Sequence, residues 1–296
     1  DETGYLTKSS RDDTWRRLNE TIEMVVDCLC DDNALNTEEL GWYSVLKVRM
    51  LHSRVRRRLL ERTGTRKWNH DEYQIPINQE DMMGTLMSFS VNVIRSIQAT
   101  GAPFLTLYEQ NAYLHLWRYI GHLIGVKDEY NMCSSLPRAG GAVESVVLHL
   151  LMNPNKRSQE VAQRVLASVA DRKVGQMRKP WSLGMHTALA RIMLGEQMGD
   201  ALGLDKGNTS MNIHAMIFLF IIRILNLIWP FCVRRDTFFG RKCISKTRKI
   251  LRDNVNKELY GENKSKNESI SSKEDNKMPH GHGAGGGTCP FGFSNN

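Results

Sequence analysis

Several features that would assign a class at once are missing. The six cysteines include no CxxC pair and no regular spacing, which excludes a disulfide framework and a zinc site and points to a reducing compartment. There is no zinc-finger spacing, RNP motif or set of interleaved aromatics, so a nucleic-acid-binding module is not expected. No convincing pair of alternating strands and no repeat of solenoid length is found, which removes sandwiches, barrels and repeat arrays. The first residues, DETGYLTKSS, hold no apolar stretch, so no signal peptide or anchor is read there, and the lack of an initiator Met implies an upstream segment.

What is present is a basic chain of 296 residues with net charge +8 and 41% hydrophobic content, long enough for a sizeable core. The positive charge is clustered. Residues 47–67 hold nine Lys or Arg against Glu61 alone, and residues 234–252 hold eight against Asp236 alone. Solvated helix faces are the plain reading of such clusters, with an anionic membrane surface as the partner they would suit best.

Helical signals run along most of the chain. Ser10 and Asp13 are spaced as a capping box, followed by a stripe of Leu18, Ile22, Val25 and Leu29 and a neighbouring stripe of Arg17, Thr21, Met24 and Cys28. Asn36 with Glu39 is expected to open a second helix that carries Val45, Val48, His52, Val55 and Leu59 in phase and closes near Gly64. Asn78 and Asp81 open a third, running through Met82, Leu86, Phe89, Val93 and Ile97 to Gly101. Thr106 and Glu109 open a fourth that extends to Gly125, and further helical patterns lie near 140–152, 158–171 and 182–202.

The most apolar stretch, residues 211–233, is interrupted by Arg223, Asn226 and Pro230. A membrane span needs about 20 apolar residues with few such breaks, so a core or interfacial helix is expected, the latter suited to anionic headgroups through the basic run that follows. From about Asn254 the composition turns polar and then Gly-rich, marking a disordered tail over 254–296 beyond a helical domain of 1–253.

Few residues suggest chemistry by themselves. A histidine on an apolar helical stripe, as His52 is, is more often a hydrogen-bonded core residue than a ligand. Glu80 and Asp81 fall in a first helical turn, where the macrodipole explains them. His115 and His122 are seven apart, a poor metal pair on one helix, and are read as packing residues. His280, His282 and Cys289 belong to the tail, and the sequons at Asn19, Asn208, Asn263 and Asn267 carry little meaning without secretion.

Three blocks raise His52 above that reading: VRMLHSRVRRRL at 48–59, IPINQEDMMGTLMSFS at 75–90 and YLHLWRYIGHLIGV at 113–126. In order and spacing they resemble the rubber oxygenase family, which includes the latex clearing proteins and the ER-bound oxygenase of mycophenolic acid biosynthesis. The likeness covers about residues 12–235. It implies an all-α, globin-like helical domain around b-type haem, with the histidine of an R-x-x-H segment as iron ligand. Here that segment runs from Arg49 to His52. It further implies that Arg17 and Thr21, matching the family's Arg-x-x-x-Thr pair, face the haem. Their one-turn spacing puts them on one helix face.

Two departures stand out. Where the best-known latex clearing proteins have a lysine just before that threonine, this chain has Glu20, so distal lysine ligation is not expected. The family's catalytic glutamate lies upstream of the Arg-x-x-x-Thr pair, where Glu2 is the nearest match and Glu20 the alternative base. The resemblance implies O₂-dependent cleavage of an isoprenoid C=C bond to carbonyl products. An apolar prenyl-chain small molecule is the expected substrate, and the setting is intracellular, peripheral on the cytosolic face of the endoplasmic reticulum. The alternative is a haem- or lipid-binding protein of the same fold without catalysis.

Overall fold

A computed structural model describes residues 10–64, 67–99, 105–170, 172, 181–232 and 238–261. Its helices are α1 (Arg11–Leu29), α2 (Leu40–Leu60), α3 (His70–Tyr73), α4 (Gln79–Phe89), α5 (Val91–Ala99), α6 (Leu107–Ile124), α7 (Leu136–Val146), α8 (Lys156–Val169), α9 (Leu183–Leu194), α10 (Glu196–Ala201), α11 (Thr209–Cys232) and α12 (Phe238–Tyr260). The described residues contain no strand, and the expected all-α single domain is what they form.

Three helices start where the sequence marks a start. Ser10, Asn78 and Thr106 each accept a bond from the amide three residues on, while the carboxylates of Asp13, Asp81 and Glu109 reach back to the capping residue's amide. Each box satisfies two amides that a helix otherwise leaves without partners. The expected stop of the fourth helix is also found, with α6 ending on Gly125 at φ 110°, a conformation that glycine adopts without strain.

The core forms around α6. Leu114, Trp117 and Ile120 are almost wholly buried against Met24 and Cys28 of α1, Val45 of α2, Leu86 and Met87 of α4, and Ala139 and Val143 of α7. Burying side chains of this size stabilises by roughly 1.5–3 kcal/mol each. On α1 the deeper stripe is therefore the one through Met24 and Cys28, and Ile22 of the other stripe is exposed.

Three expected boundaries differ. The second helix starts at Leu40, because Asn36 accepts the Glu39 amide in a turn at 3.0 Å and Glu38 takes φ 70°. The helix then begins where Gly41 lets α2 touch the end of α1. The third helix breaks in two at Ser90, whose buried hydroxyl donates to the Leu86 carbonyl at 2.8 Å while its backbone leaves the helical region. The pattern over 182–202 is divided by Gly195 at φ 85°.

The apolar stretch forms α11, which packs on α9. It is not a core helix: Met216 is 60% and Phe220 62% exposed. No described helix is long and apolar enough to cross a membrane. Helical structure continues past the expected boundary at 253, since α12 runs to Tyr260, and the remainder of the expected tail lies outside the described residues.

Candidate functional site

Between α1, α2, α4 and α6 lies a cavity of about 460 Å³. That volume is in the range of small-molecule and cofactor sites. Its walls follow from helical periodicity. Spacings of three and four bring Arg17, Glu20, Thr21 and Met24 of α1 to one side, and Val48, Leu51, His52 and Val55 of α2 to the other. From α4 come Asp81, Met82, Thr85, Leu86 and Phe89, and from α6 Trp117, Gly121 and Ile124. Phe89 and Trp117 are stacked with centroids 5.4 Å apart, giving this wall a rigid aromatic face. The lining is mainly apolar, with a cation and two carboxylates at fixed places.

His52 is the imidazole of this lining. Burial, and secondarily the positive charge of Arg56, push its pKa below the ordinary 6.5, so the neutral form with a free nitrogen lone pair is favoured. Its Nδ1 is buried without a hydrogen-bond partner among the described residues. Among the described residues His52 is thus not satisfied through this atom.

His52, Met82 and Ile124 also wall a second cavity, of about 270 Å³, with Arg49, Ser53, Arg56, Gln79 and Gly125. Arg49 and Arg56 stand three residues before and four after His52, on its side of α2. Arg49 donates to the Leu123 carbonyl at 3.1 Å, and Arg56 donates to the carbonyls of Pro76 and Ile77. Neither pairs with a carboxylate among the described residues. Two guanidiniums beside a cavity without acidic neighbours present complementary charge to a carboxylate.

The expected residues thus gather, with qualifications. His52, Arg17, Glu20 and Thr21 line one cavity and Arg49 the adjoining one. The Thr21 hydroxyl donates to the Arg17 carbonyl at 3.0 Å, which leaves its oxygen as an acceptor toward the cavity rather than the donor its type suggests. Glu20 accepts from Arg16 at 3.2 Å. Glu2 lies outside the described residues, as do His280, His282, Cys289, Asn263 and Asn267. His115 and His122 are exposed rather than packed. Asn19 is buried and donates to the Trp15 carbonyl at 2.9 Å, so its sequon is closed to modification.

Two residues of the site were not found from sequence. Arg56 had a usable signal, its spacing of four from His52, but was one arginine in a run of three. Asp81 carries in the sequence only the signals of a first helical turn, cap spacing and a charge suited to the macrodipole. It does cap, accepting the Asn78 amide at 3.0 Å, and it also faces the cavity.

The arrangement can do three things chemically. It can bury a large apolar group, offer a neutral imidazole to a metal that draws its remaining ligands from elsewhere, and hold a cation and carboxylates in the same lining. Among the described residues no cluster of three or more His, Cys, Asp or Glu could hold a bare metal ion. A single imidazole suits a metal already held in a macrocycle.

Comparison with known proteins bears on this arrangement. Thirty per cent identity over 163 residues relates the chain to the rubber oxygenase of Streptomyces sp. (strain K30), covering 55% of this chain and 38% of that protein. The solved structure of latex clearing protein in the closed state shares the fold with a TM-score of 0.61 at 23% identity, over 86% of this chain and 64% of the other. The chain therefore spans less than two thirds of the length of either relative. Residues 3–223, which include every helix that walls the cavity, match the family described as ER-bound oxygenase mpaB/B'/Rubber oxygenase, catalytic domain, and the chain belongs to that family.

Proposed function

We propose that the protein is a haem b-dependent oxygenase that cleaves a C=C bond of an isoprenoid or prenylated small molecule with O₂, giving two carbonyl products. The observation that carries this reading is His52: an imidazole favoured neutral, with a buried Nδ1 that has no hydrogen-bond partner among the described residues, on the wall of a mainly apolar cavity that Arg17, Glu20 and Thr21 also line. Both atoms of O₂ enter the two carbonyls, so the overall reaction balances without an external reductant.

The residues present fit the cofactor. His52 would hold the iron through a ring-nitrogen lone pair. Arg49 and Arg56 would hold the macrocycle's carboxylates, and the Phe89–Trp117 face would pack against its apolar surface. Haem, when bound, supplies the binding and activation of O₂.

The remaining chemistry belongs to the chain's own side chains. Apolar walls from α1, α2, α4 and α6 receive the prenyl chain and exclude water. Arg17 stabilises negative charge that develops in the cavity, and Thr21 orients through its free oxygen lone pairs. Glu20 is the base that takes the allylic proton and gives it back to the product as the C=C bond is cleaved, one of its oxygens already oriented by Arg16. Asp81, fixed by its capping bonds, is the second carboxylate within reach of a bound chain.

The test is turnover under ¹⁸O₂ by haem-loaded protein given a farnesylated aromatic compound. The expected products carry one ¹⁸O in each new carbonyl before exchange, and the His52→Ala variant yields none. Haem-loaded protein that turns over nothing in a panel of prenylated compounds would instead be a binding protein.

A further inference from the structure

The last described helix, α12, lies beyond residue 223, where the match to the catalytic domain ends. Its charge suggests a solvated cationic face, and Arg241, Lys242, Lys246 and Lys249 are indeed exposed. Arg248 and Arg252, one turn apart, are not part of that face. They turn onto the C-terminal end of α1, which has no basic residue in its own last turn.

Arg248 donates to the carbonyl of Cys30, the residue that caps α1, at 3.2 Å and lies 3.7 Å from Asp32. Arg252 donates to the Cys30 sulfur at 2.7 Å and lies 3.5 Å from Asp27. Cations placed there satisfy terminal carbonyls and oppose the negative end of the helix dipole, so α12 supplies what α1 lacks. Asp27 is buried, and its other oxygen accepts the Ser44 hydroxyl of α2 at 2.5 Å. One carboxylate thus ties α1, α2 and α12 together. Toward the other end of α12, Trp15 donates to Glu258 at 3.2 Å and Tyr260 donates to Glu23 at 2.8 Å.

These contacts occupy the back of the helix that forms the cavity's charged wall. With 3.6 residues per turn, Trp15, Glu23 and Cys30 fall on the side of α1 away from Arg17, Thr21 and Met24. We infer that α12 is a strap that sets the position of the α1 wall, with Arg252 as the positioning residue that holds Arg17 and Thr21 in register with His52 through its pairing to Asp27 and Cys30. The functional part of this inference rests on the oxygenase reading, and the mechanical part does not.

The two parts are separated by measuring hydrogen–deuterium exchange and a cofactor spectrum on the full chain. In Arg252→Met, exchange of α1 amides is expected to rise about tenfold or more, while α6 and α9 stay as in the wild type. Arg252→Lys should restore most of the protection, and Lys246→Met, on the exposed face of the same helix, should change nothing. Should Arg252→Met not fold, Tyr260→Phe is the milder variant, expected to loosen α1 around Glu23 alone. In haem-loaded, reduced protein the stretching frequency of bound carbon monoxide should shift in Arg252→Met and return in Arg252→Lys. Unchanged α1 exchange, or equal acceleration in every helix, overturns the strap. Selective α1 loosening with an unshifted carbon monoxide band overturns the positioning role alone, and failure of the wild type to take up haem, with α1 selectively loosened in Arg252→Met, counts against the oxygenase reading and leaves the strap standing.

Discussion

Substituting Gly41 tests how tightly the two helices that wall the cavity are held together. A Cβ at this position would sit 2.7 Å from the Ala34 carbonyl oxygen, 2.9 Å from that of Asp27 and 3.0 Å from the Cys28 Cα. All three are backbone atoms, so no side chain can rotate away and α2 must move off α1. Overpacking of this kind costs roughly 1–3 kcal/mol. Separation also stretches the Trp42 amide bond to the Ala34 carbonyl, now 3.1 Å, worth about 0.5–1.5 kcal/mol. Against this stands the gain from replacing glycine in a helix, about 0.5–1 kcal/mol at most near a helix start. Gly41→Ala should therefore destabilise by about 2 kcal/mol, a large share of a typical 5–15 kcal/mol total. Gly84 in α4 is the control, since nothing lies within 4 Å of a Cβ there and Gly84→Ala should stabilise by about 0.5–1 kcal/mol. Urea midpoints with unchanged slopes report both effects. Equal stability of the two variants would refute the close contact, and a Gly41→Ala protein of lowered stability should also bind its cavity ligand more weakly.

Two further outcomes follow from the site. The His52 pKa is depressed in the folded chain, so its contribution to stability is complete above the ordinary value of 6.5 and is lost as pH falls through the depressed one. His52→Leu should flatten the decline of urea midpoints on the acid side of pH 6.5 in cofactor-free protein, and an unaltered slope would mean that the imidazole is not held neutral. Arg49→Met should speed haem loss on dilution by about 10- to 100-fold, the worth of one charge-assisted hydrogen bond, with helicity unchanged, and wild-type retention would remove Arg49 from the cofactor's partners.

Much of this fold could be read from local sequence, because its information is local. The boxes at Ser10, Asn78 and Thr106 and the Gly125 stop are complete within four residues, and no distant contact overrides them. The break at Ser90 could not be read in this way. It depends on a buried hydroxyl returning to Leu86 and on Cys133, 43 positions away, whose sulfur lies 3.4 Å from that hydroxyl. The start of α2 likewise depends on Gly41 meeting α1, a tertiary contact without a sequence signature. Within the site, the family blocks led to His52 and Arg49, and the family's Arg-x-x-x-Thr pair to Arg17 and Thr21. Asp81 was passed over because capping already explained it, and Arg56 because its spacing was lost among neighbouring arginines. The inward turn of Arg248 and Arg252 out of a uniformly basic stretch is visible only once α1 is seen beside them.

The most direct test of the account is the visible absorption spectrum of the purified full chain, oxidised and dithionite-reduced, beside His52→Ala at matched haem supply. The account predicts a stoichiometric Soret band in the wild type that shifts on reduction and is lost in His52→Ala, while the helical far-ultraviolet signal is kept. A folded, haem-supplied wild type without a Soret band, or a variant that keeps the band unchanged, would contradict it.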